Sequence, residues 1–274
     1  MDLKLGGRFG FWLLRSLSHR PDGPEKKTGD AEPTGGAAKL QRFFGTQVWQ
    51  SLSGRTVMDY GCGEGAEVVA AAMAGARRVY GVDVRDKMLA SAAQLARAHG
   101  VADRCMFVNA LSEPGALGAL RGTVDVIYSL DCFEHYPSPE AVMDSAYDLL
   151  APGGMLLISF GPPWYHAFGA HMGFFCGLPW MQIFFDEATI LSVRSLYRSD
   201  GATRFQEVDG GLNQMTLDRF TRLIDPVRFE TQSFQAVPVR GWTWLVKHAV
   251  IREYFTSVVR CVLIKRPESR GVEA

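Results

Sequence analysis

The chain has 274 residues, 47% hydrophobic and 21% charged, and its 29 Lys+Arg balance 29 Asp+Glu to a formal net charge of zero. This length admits one elaborated domain, or a domain and a half. The composition is that of a globular chain and excludes the fibrous and disordered classes. The neutral total argues against a large basic surface for nucleic acid, although a local patch survives within a neutral sum. Cys62, Cys105, Cys132, Cys176 and Cys261 are scattered, odd in number and lack a C-x-x-C pair. That pattern speaks against a disulfide framework or thiolate zinc site, and for reduced thiols in a cytoplasmic setting.

Lys4 to Leu17 intersperses Phe9, Phe11, Trp12, Leu13, Leu14 and Leu17 with Arg8 and Arg15. The arginines, and the lack of a long apolar run before a small-residue cleavage site, separate it from a signal peptide. A lid helix over a ligand cleft is expected; the other reading is an amphipathic helix making peripheral contact with a membrane. Ser18 to Ala38 is rich in Gly, Pro and charge and reads as a flexible linker, so residues 1–38 form an arm and a linker. Lys39 to Leu52 reads as one helix leading into the first strand.

Val57-Met58-Asp59-Tyr60-Gly61-Cys62-Gly63-Glu64-Gly65 is the most informative stretch. An apolar run meets an acid, three glycines alternate, and an alanine-rich helical segment follows from Glu64 to Gly75. Such a strand–turn–helix lets a ligand approach the backbone, since glycine has no Cβ and tolerates positive φ, and it points helix amides at the ligand. Two cofactors fit. Gly61, Gly63 and Ala66 satisfy the dinucleotide pattern G-x-G-x-x-G/A, with Asp83 about 20 residues on for a ribose. Asp59 to Gly65 equally resembles the first motif of the class I (Rossmann-like) methyltransferases, an acid, any residue, then GxGxG, which implies S-adenosylmethionine.

Later segments favour the second reading. Arg78 to Asp83 reads as a second strand ending in an acid able to accept both ribose hydroxyls. Cys105 to Ala110 reads as a third. The methyltransferase family often places an acid near Asn109 to accept from the adenine amino group; Asn109 offers an amide oxygen, and also suits a local turn. Val124 to Ser129 is a fourth strand, followed by Leu130-Asp131-Cys132-Phe133-Glu134-His135, which looks like the family's fourth-strand motif ending in Glu-His. Ser138 and Pro139 open a helix with Ala141, Val142, Ala146, Leu149 and Leu150 inward. Leu149 to Gly154 closes it with Leu-x-Pro-Gly-Gly, and Met155 to Phe160 makes a fifth strand. Together these motifs imply a doubly wound, mainly parallel seven-stranded α/β sheet. Residues 39–160 form its cofactor-binding core. Residues 216–274 complete it with a helix over Thr216–Ile224 and two strands, Arg228–Val237 and Phe255–Lys265, the last antiparallel in the resembled family.

Residues 161–215 are expected to form an inserted cap. No Asp, Glu, Lys or Arg occurs from Leu149 to Phe185, but Pro152, Pro162, Pro163 and Pro179 break any continuous transmembrane helix. Trp164, Tyr165, Phe168 and Trp180 suit a substrate-pocket wall, or simply the filling of the cap. Gly161-Pro162-Pro163-Trp164 resembles an amino-methylating motif but follows the wrong strand and lacks its first residue. The resemblance assigns Asp59, Gly61 and Gly63 to the methionine side, Asp83 to the ribose, Val84 and Asn109 to the adenine, and Ser129 and Asp131 to the methionine or transfer region. His135, His166 and His171 are the candidate bases, since histidine titrates near neutrality. Asp131, Glu134 and His135 resemble the acid-x-x-Glu-His cluster of quinone-biosynthetic O-methyltransferases that use magnesium. Glu-His is widespread here in members not known to need metal, so none is expected.

The function implied is methyl transfer to a small, fairly apolar acceptor, a hydroxyl first, by in-line displacement. A methyltransferase of RNA or protein is the alternative, with Arg194, Arg198, Arg204 and Arg222 as a basic groove. A nicotinamide oxidoreductase is more remote. The substrate would be a small molecule, with no nucleic acid expected.

Overall fold

The computed structural model describes residues 4–19, 35–239, 244–248 and 251–267. Helices α1 (Gly7–Leu17), α2 (Gly35–Phe44) and α3 (Val48–Leu52) precede an alternating run: β1 (Thr56–Tyr60), α4 (Ala66–Met73), β2 (Arg78–Asp83), α5 (Asp86–Ala98), β3 (Cys105–Asn109), α6 (Pro114–Gly118), β4 (Val124–Leu130), α7 (Pro139–Leu149) and β5 (Leu150–Phe160). The cap carries α8 (Met181–Phe184) and α9 (Glu187–Arg194); α10 (Leu217–Leu223), β6 (Phe229–Pro238) and β7 (Thr256–Lys265) follow.

The seven strands run in the order β3-β2-β1-β4-β5-β7-β6. β1 to β5 pair in parallel, and β7 lies antiparallel to both β5 and β6. The expected doubly wound sheet with an antiparallel last strand is therefore present. Successive residues of its strands point to opposite faces, and both faces are covered. Val57, Val79, Val126 and Leu157 pack beneath α2, α4 and α5, while Met58, Ile127, Leu156 and Ile158 pack with Met143 of α7 and Phe220 of α10. A third core, from Trp164, Phe175, Met181, Ile190 and Phe205, belongs to the cap, and Leu14 of α1 enters it.

Local chemistry sets the ends. Ser138 Oγ accepts from Ala141 N at 3.3 Å ahead of Pro139, the expected cap of α7. Buried Lys265 donates from Nζ to the Tyr147 and Leu150 carbonyls, each at 2.8 Å, and so ties β7 to the C-terminal turn of α7. Thr216 Oγ1 caps α10 by accepting from Arg219 N at 2.9 Å.

Several expectations are corrected. Lys39–Leu52 is broken into α2 and α3 at Gly45, whose φ is +81°. Leu150 to Gly154 continues into β5 instead of closing α7, and Ala141 is exposed while Met143 turns inward. Residues 20–34 of the expected linker lie outside the described residues, and 35–38 form the first turn of α2. The arm does not cover the cofactor crevice. α1 packs on α9 of the cap, with Gly10 allowing close approach to Thr189, and the helix over the glycine turn is α2, packed on α4. No described helix is long and apolar enough to cross a membrane.

Candidate active site

Strand order reverses between β2 and β4 on either side of β1, and the carboxyl ends of these strands frame the crevice where ligands bind in such sheets. The glycine turn leaves β1 there with φ of +91°, +51° and +79° at Gly61, Gly63 and Gly65. A Cβ at Gly61 would stand 2.6 Å from Cys132 Sγ, and one at Gly65 2.5 Å from Ala92 Cβ. At Gly63 it would meet nothing within 4 Å. The outer glycines admit protein; the middle one faces open space.

Asp83, at the end of β2, supports the turn. Its Oδ2 accepts from Gly63 N at 2.9 Å, and its Oδ1 from Val84 N at 2.8 Å and Arg85 N at 3.0 Å. The Arg85 guanidinium forks onto both oxygens at 3.0 and 3.2 Å. Burial would raise this carboxyl, but the Arg85 and Gly63 hydrogen bonds hold it below the usual range. Asp59 lies buried behind the turn, where burial, then Glu67 and Asp83, push it well above the ordinary carboxylate value against the pull of Lys39.

Lys39, which the sequence reading did not single out, reaches from α2 to place Nζ 3.0 Å from Asp131 Oδ2 beyond β4. Its only sequence signal is a cation on the helix before the first motif. Burial opposes its charge, but Asp131 and Glu67 raise its pKa overall. Asp131 itself holds a φ of +54°, a conformation a non-glycine residue adopts at some cost and usually near functional sites.

Ser129 and Asn109 are engaged by the protein. Ser129 Oγ lies 2.8 Å from Tyr136 Oη, which donates to the Tyr60 carbonyl at 2.7 Å. Asn109 Nδ2 donates to Asp86 Oδ1 at 2.6 Å, and its Oδ1 accepts from Leu111 N at 2.9 Å and Ser112 N at 3.2 Å. Its amide thus builds the local turn. Val84, exposed beside Asp83, leaves its side chain free to meet a ring.

The segment after β4 meets the start of the cap. Glu134, His135 and His171 each offer a ligand atom within 4.8 Å of the others; Asp131 is not in this group. The two imidazoles meet edge to face at 5.5 Å. His135 Nδ1 lies 2.7 Å from the Gly211 carbonyl, and His171 Nε2 3.1 Å from the Pro162 carbonyl. Carbonyls only accept, so those nitrogens carry the protons, leaving lone pairs on His135 Nε2 and His171 Nδ1. Burial lowers His171 to about 4, and it holds a φ of +55°. Glu134 is buried; its Oε1 accepts from Gly161 N at 3.1 Å while its Oε2 has no partner among the described residues. Burial raises this carboxyl to about 8. The two imidazoles and the carboxyl can serve as a base with its neighbours, or as one carboxylate and two nitrogen ligands of a divalent cation.

Residues 58–158 match the methyltransferase domain family. The chain carries a class I, Rossmann-like methyltransferase domain. The ubiquinone biosynthesis O-methyltransferase of Psychrobacter arcticus is 36% identical to it over 109 residues, 39% of this chain and 41% of the relative. The chain thus spans less than half the length of that relative. Among solved structures, the S-adenosylmethionine dependent methyltransferase from Mesorhizobium loti has a TM-score of 0.50 at 18% identity, over 78% of this chain and 92% of its own. The magnesium protoporphyrin IX methyltransferase from Synechocystis PCC 6803, with bound SAH, has 0.50 at 20%, over 90% and 91%.

Outside this methyltransferase domain, the cap residues divide. Trp164 is buried against Phe205 at 5.0 Å in the cap core, so it fills space and does not line an open wall. Tyr165 stacks on Tyr254 at 5.7 Å and is exposed, as is Phe168; Trp180 donates from Nε1 to the Tyr165 carbonyl at 3.2 Å. His166 is buried and its Nδ1 accepts from Phe168 N at 3.2 Å, a turn contact that occupies the lone pair a base needs. Two of the four arginines are taken up by local ion pairs. Arg194 is buried in a two-pronged bond to Asp200 with both distances 2.6 Å, and Arg222 pairs with Asp218.

Proposed function

We propose that this chain is an S-adenosylmethionine-dependent methyltransferase that methylates the hydroxyl of a small, fairly apolar molecule in the cytoplasm. The observation that carries the reading is the open face over Gly63, with the Asp83 carboxylate beneath it and the Lys39–Asp131 ion pair beside it. These groups fit the cofactor. Its ribose hydroxyls suit Asp83, once the half-exposed Arg85 side chain swings aside. Its amino-acid end carries an ammonium and a carboxylate, and an ion pair that parts can meet both, Asp131 the first and Lys39 the second. Val84 would flank the adenine.

When bound, the cofactor supplies a methyl group activated by a sulfonium. The chain must align the acceptor oxygen in line behind that methyl and take its proton. Of the three histidines, His135 suits the second task best. Its Nε2 lone pair is free and its tautomer is fixed by Gly211. The relative named for ubiquinone biosynthesis is an O-methyltransferase, which supports oxygen as the acceptor. Should a cation occupy Glu134, His135 and His171, it would polarise the acceptor oxygen instead.

The test is a transfer assay with methyl-deuterated S-adenosylmethionine on separated lipid, small-molecule, RNA and protein fractions. A mass shift in the first two is expected. His135→Gln should cut turnover by roughly 100-fold or more with cofactor affinity unchanged. Label confined to RNA or protein would overturn the proposal.

A further inference from the structure

Helix α1 is fastened to the cap at both ends. Leu5 N donates to the Phe184 carbonyl at 2.8 Å, Asp186 N donates to the Leu5 carbonyl at 3.2 Å, and His19 N donates to the Phe175 carbonyl at 2.8 Å. Between these ties Gly10 and Leu14 face α9 and are buried. Among the described residues nothing covers the opposite face. Phe9 is 63% exposed and Trp12 65% exposed, one turn apart on the outward side, with Leu5 and Phe184 also exposed at its start. A helix held this firmly gains nothing for the fold from two large aromatics turned to water.

Charge identifies what should cover them. Lys4, Arg8 and Arg15 are the charged residues of the described segment 4–19, which holds no acid. Lys4 and Arg8 give this face two positive groups in a chain of zero net charge, while Arg15 turns to the cap, its Nη1 3.4 Å from Tyr197 Oη. Arg8 precedes Trp12 by four residues and so adjoins it on the outward face. Asp186, beside Gly6, is turned to the inner side, where it caps α9 by accepting from Thr189 N at 2.7 Å. Aromatic side chains ringed by cations, on an exposed helix, match the interfacial zone of an anionic bilayer. The rings enter the headgroup boundary while the cations meet lipid phosphates.

We infer that α1 docks this protein on an anionic membrane surface through Phe9, Trp12, Lys4 and Arg8, with the cap held directly above the lipid. This goes beyond the proposed reaction and does not depend on it. The arrangement would bring the cap, which supplies His171, to the phase in which an apolar acceptor dissolves.

Sedimentation of the full-length protein with phosphatidylcholine vesicles, with and without 30% phosphatidylglycerol (about that fraction suffices for a negative surface), tests the inference. Binding is expected to the anionic vesicles, weakening with added salt. Phe9→Glu with Trp12→Glu should reduce it on the order of 100-fold, with circular dichroism and melting unchanged because neither side chain is packed. Lys4→Glu with Arg8→Glu should remove the preference for anionic lipid. Wild-type protein that ignores the vesicles, or a double aromatic variant that binds undiminished, overturns the inference. So does a concentration-dependent dimer that the aromatic variant abolishes, since a second copy would then cover the face. Methyl transfer to a soluble acceptor would be untouched by these variants, so failure here and failure of the proposed reaction are read separately.

Discussion

Asp83 already makes five hydrogen bonds within the protein, two of them to the Arg85 side chain. A ribose must compete for those two. Removing the carboxylate should therefore cost cofactor binding, and removing the guanidinium should help it. Calorimetry with S-adenosylhomocysteine is expected to show about 100-fold or greater loss for Asp83→Ala, and severalfold tightening for Arg85→Ala. Weaker binding by the second variant would mean that the guanidinium contacts the cofactor instead of masking its site. The glycines give a comparison of the same kind. Gly63→Ala adds a Cβ into open space but at a φ of +51°, so it should lower cofactor affinity and cost about 1 kcal/mol of stability from backbone strain alone. Gly65→Ala drives a Cβ to 2.5 Å from Ala92 at a φ of +79°, and should cost about 1–3 kcal/mol in urea denaturation.

At the scale of elements, legibility followed chain distance. β1 to β7 were readable because each apolar run is bounded by its own turn residues, and the glycine turn, Asp83 and Glu-His sit at strand ends that the pattern marks. Lys39 was not readable: its partner Asp131 lies 92 residues on, and nothing local says that α2 folds back over the turn. The third member of the His135 cluster was marked as a candidate, but only the cap's path brings His171 beside Glu134. Within the cap, composition gave an aromatic segment without saying which rings face inward. Trp164 is packed because Phe205 arrives from across α9, whereas its neighbour Tyr165 faces out. Hence Trp164→Ala should destabilise by about 3–5 kcal/mol in thermal or urea unfolding. Phe168→Ala, at an exposed position, should leave stability within about 0.5 kcal/mol and, if it touches the acceptor, raise KM alone.

For the whole molecule, two buried groups shape the dependence of stability on pH. Glu134 stands at about 8 in the folded chain against about 4.3 unfolded. From pH 4.5 to 8 the folded state keeps a proton that the unfolded state has released, so stability falls as pH rises. His171 stands at about 4 against about 6.5 unfolded, so stability falls as pH drops from 6.5 toward 4. The two slopes oppose each other between pH 4.5 and 6.5 and produce a plateau; above it Glu134 acts alone of the pair. Urea titrations at pH 6.5 and pH 8 should show Glu134→Gln losing about 2 kcal/mol less over that interval than the wild type. An equal loss in both proteins would mean that Glu134 is ionised in the fold.

β7 enters the sheet between β5 and β6, although it follows both in the chain. A ribosome therefore releases β5, with its fully buried Ile158 and Phe160, long before the strand that shields its flank exists. Until residue 265 has left the exit tunnel, the most apolar strand of the molecule is an open edge, a template for any passing extended chain. The glycine turn and Asp83 can take shape early, because β1 and β2 need nothing downstream of β5, whereas the His135 cluster waits for Pro162, His171 and Gly211. Protection of this flank of the nascent protein from self-association arrives only with β7, and Lys265 at the end of that strand is the bolt that secures it to α7.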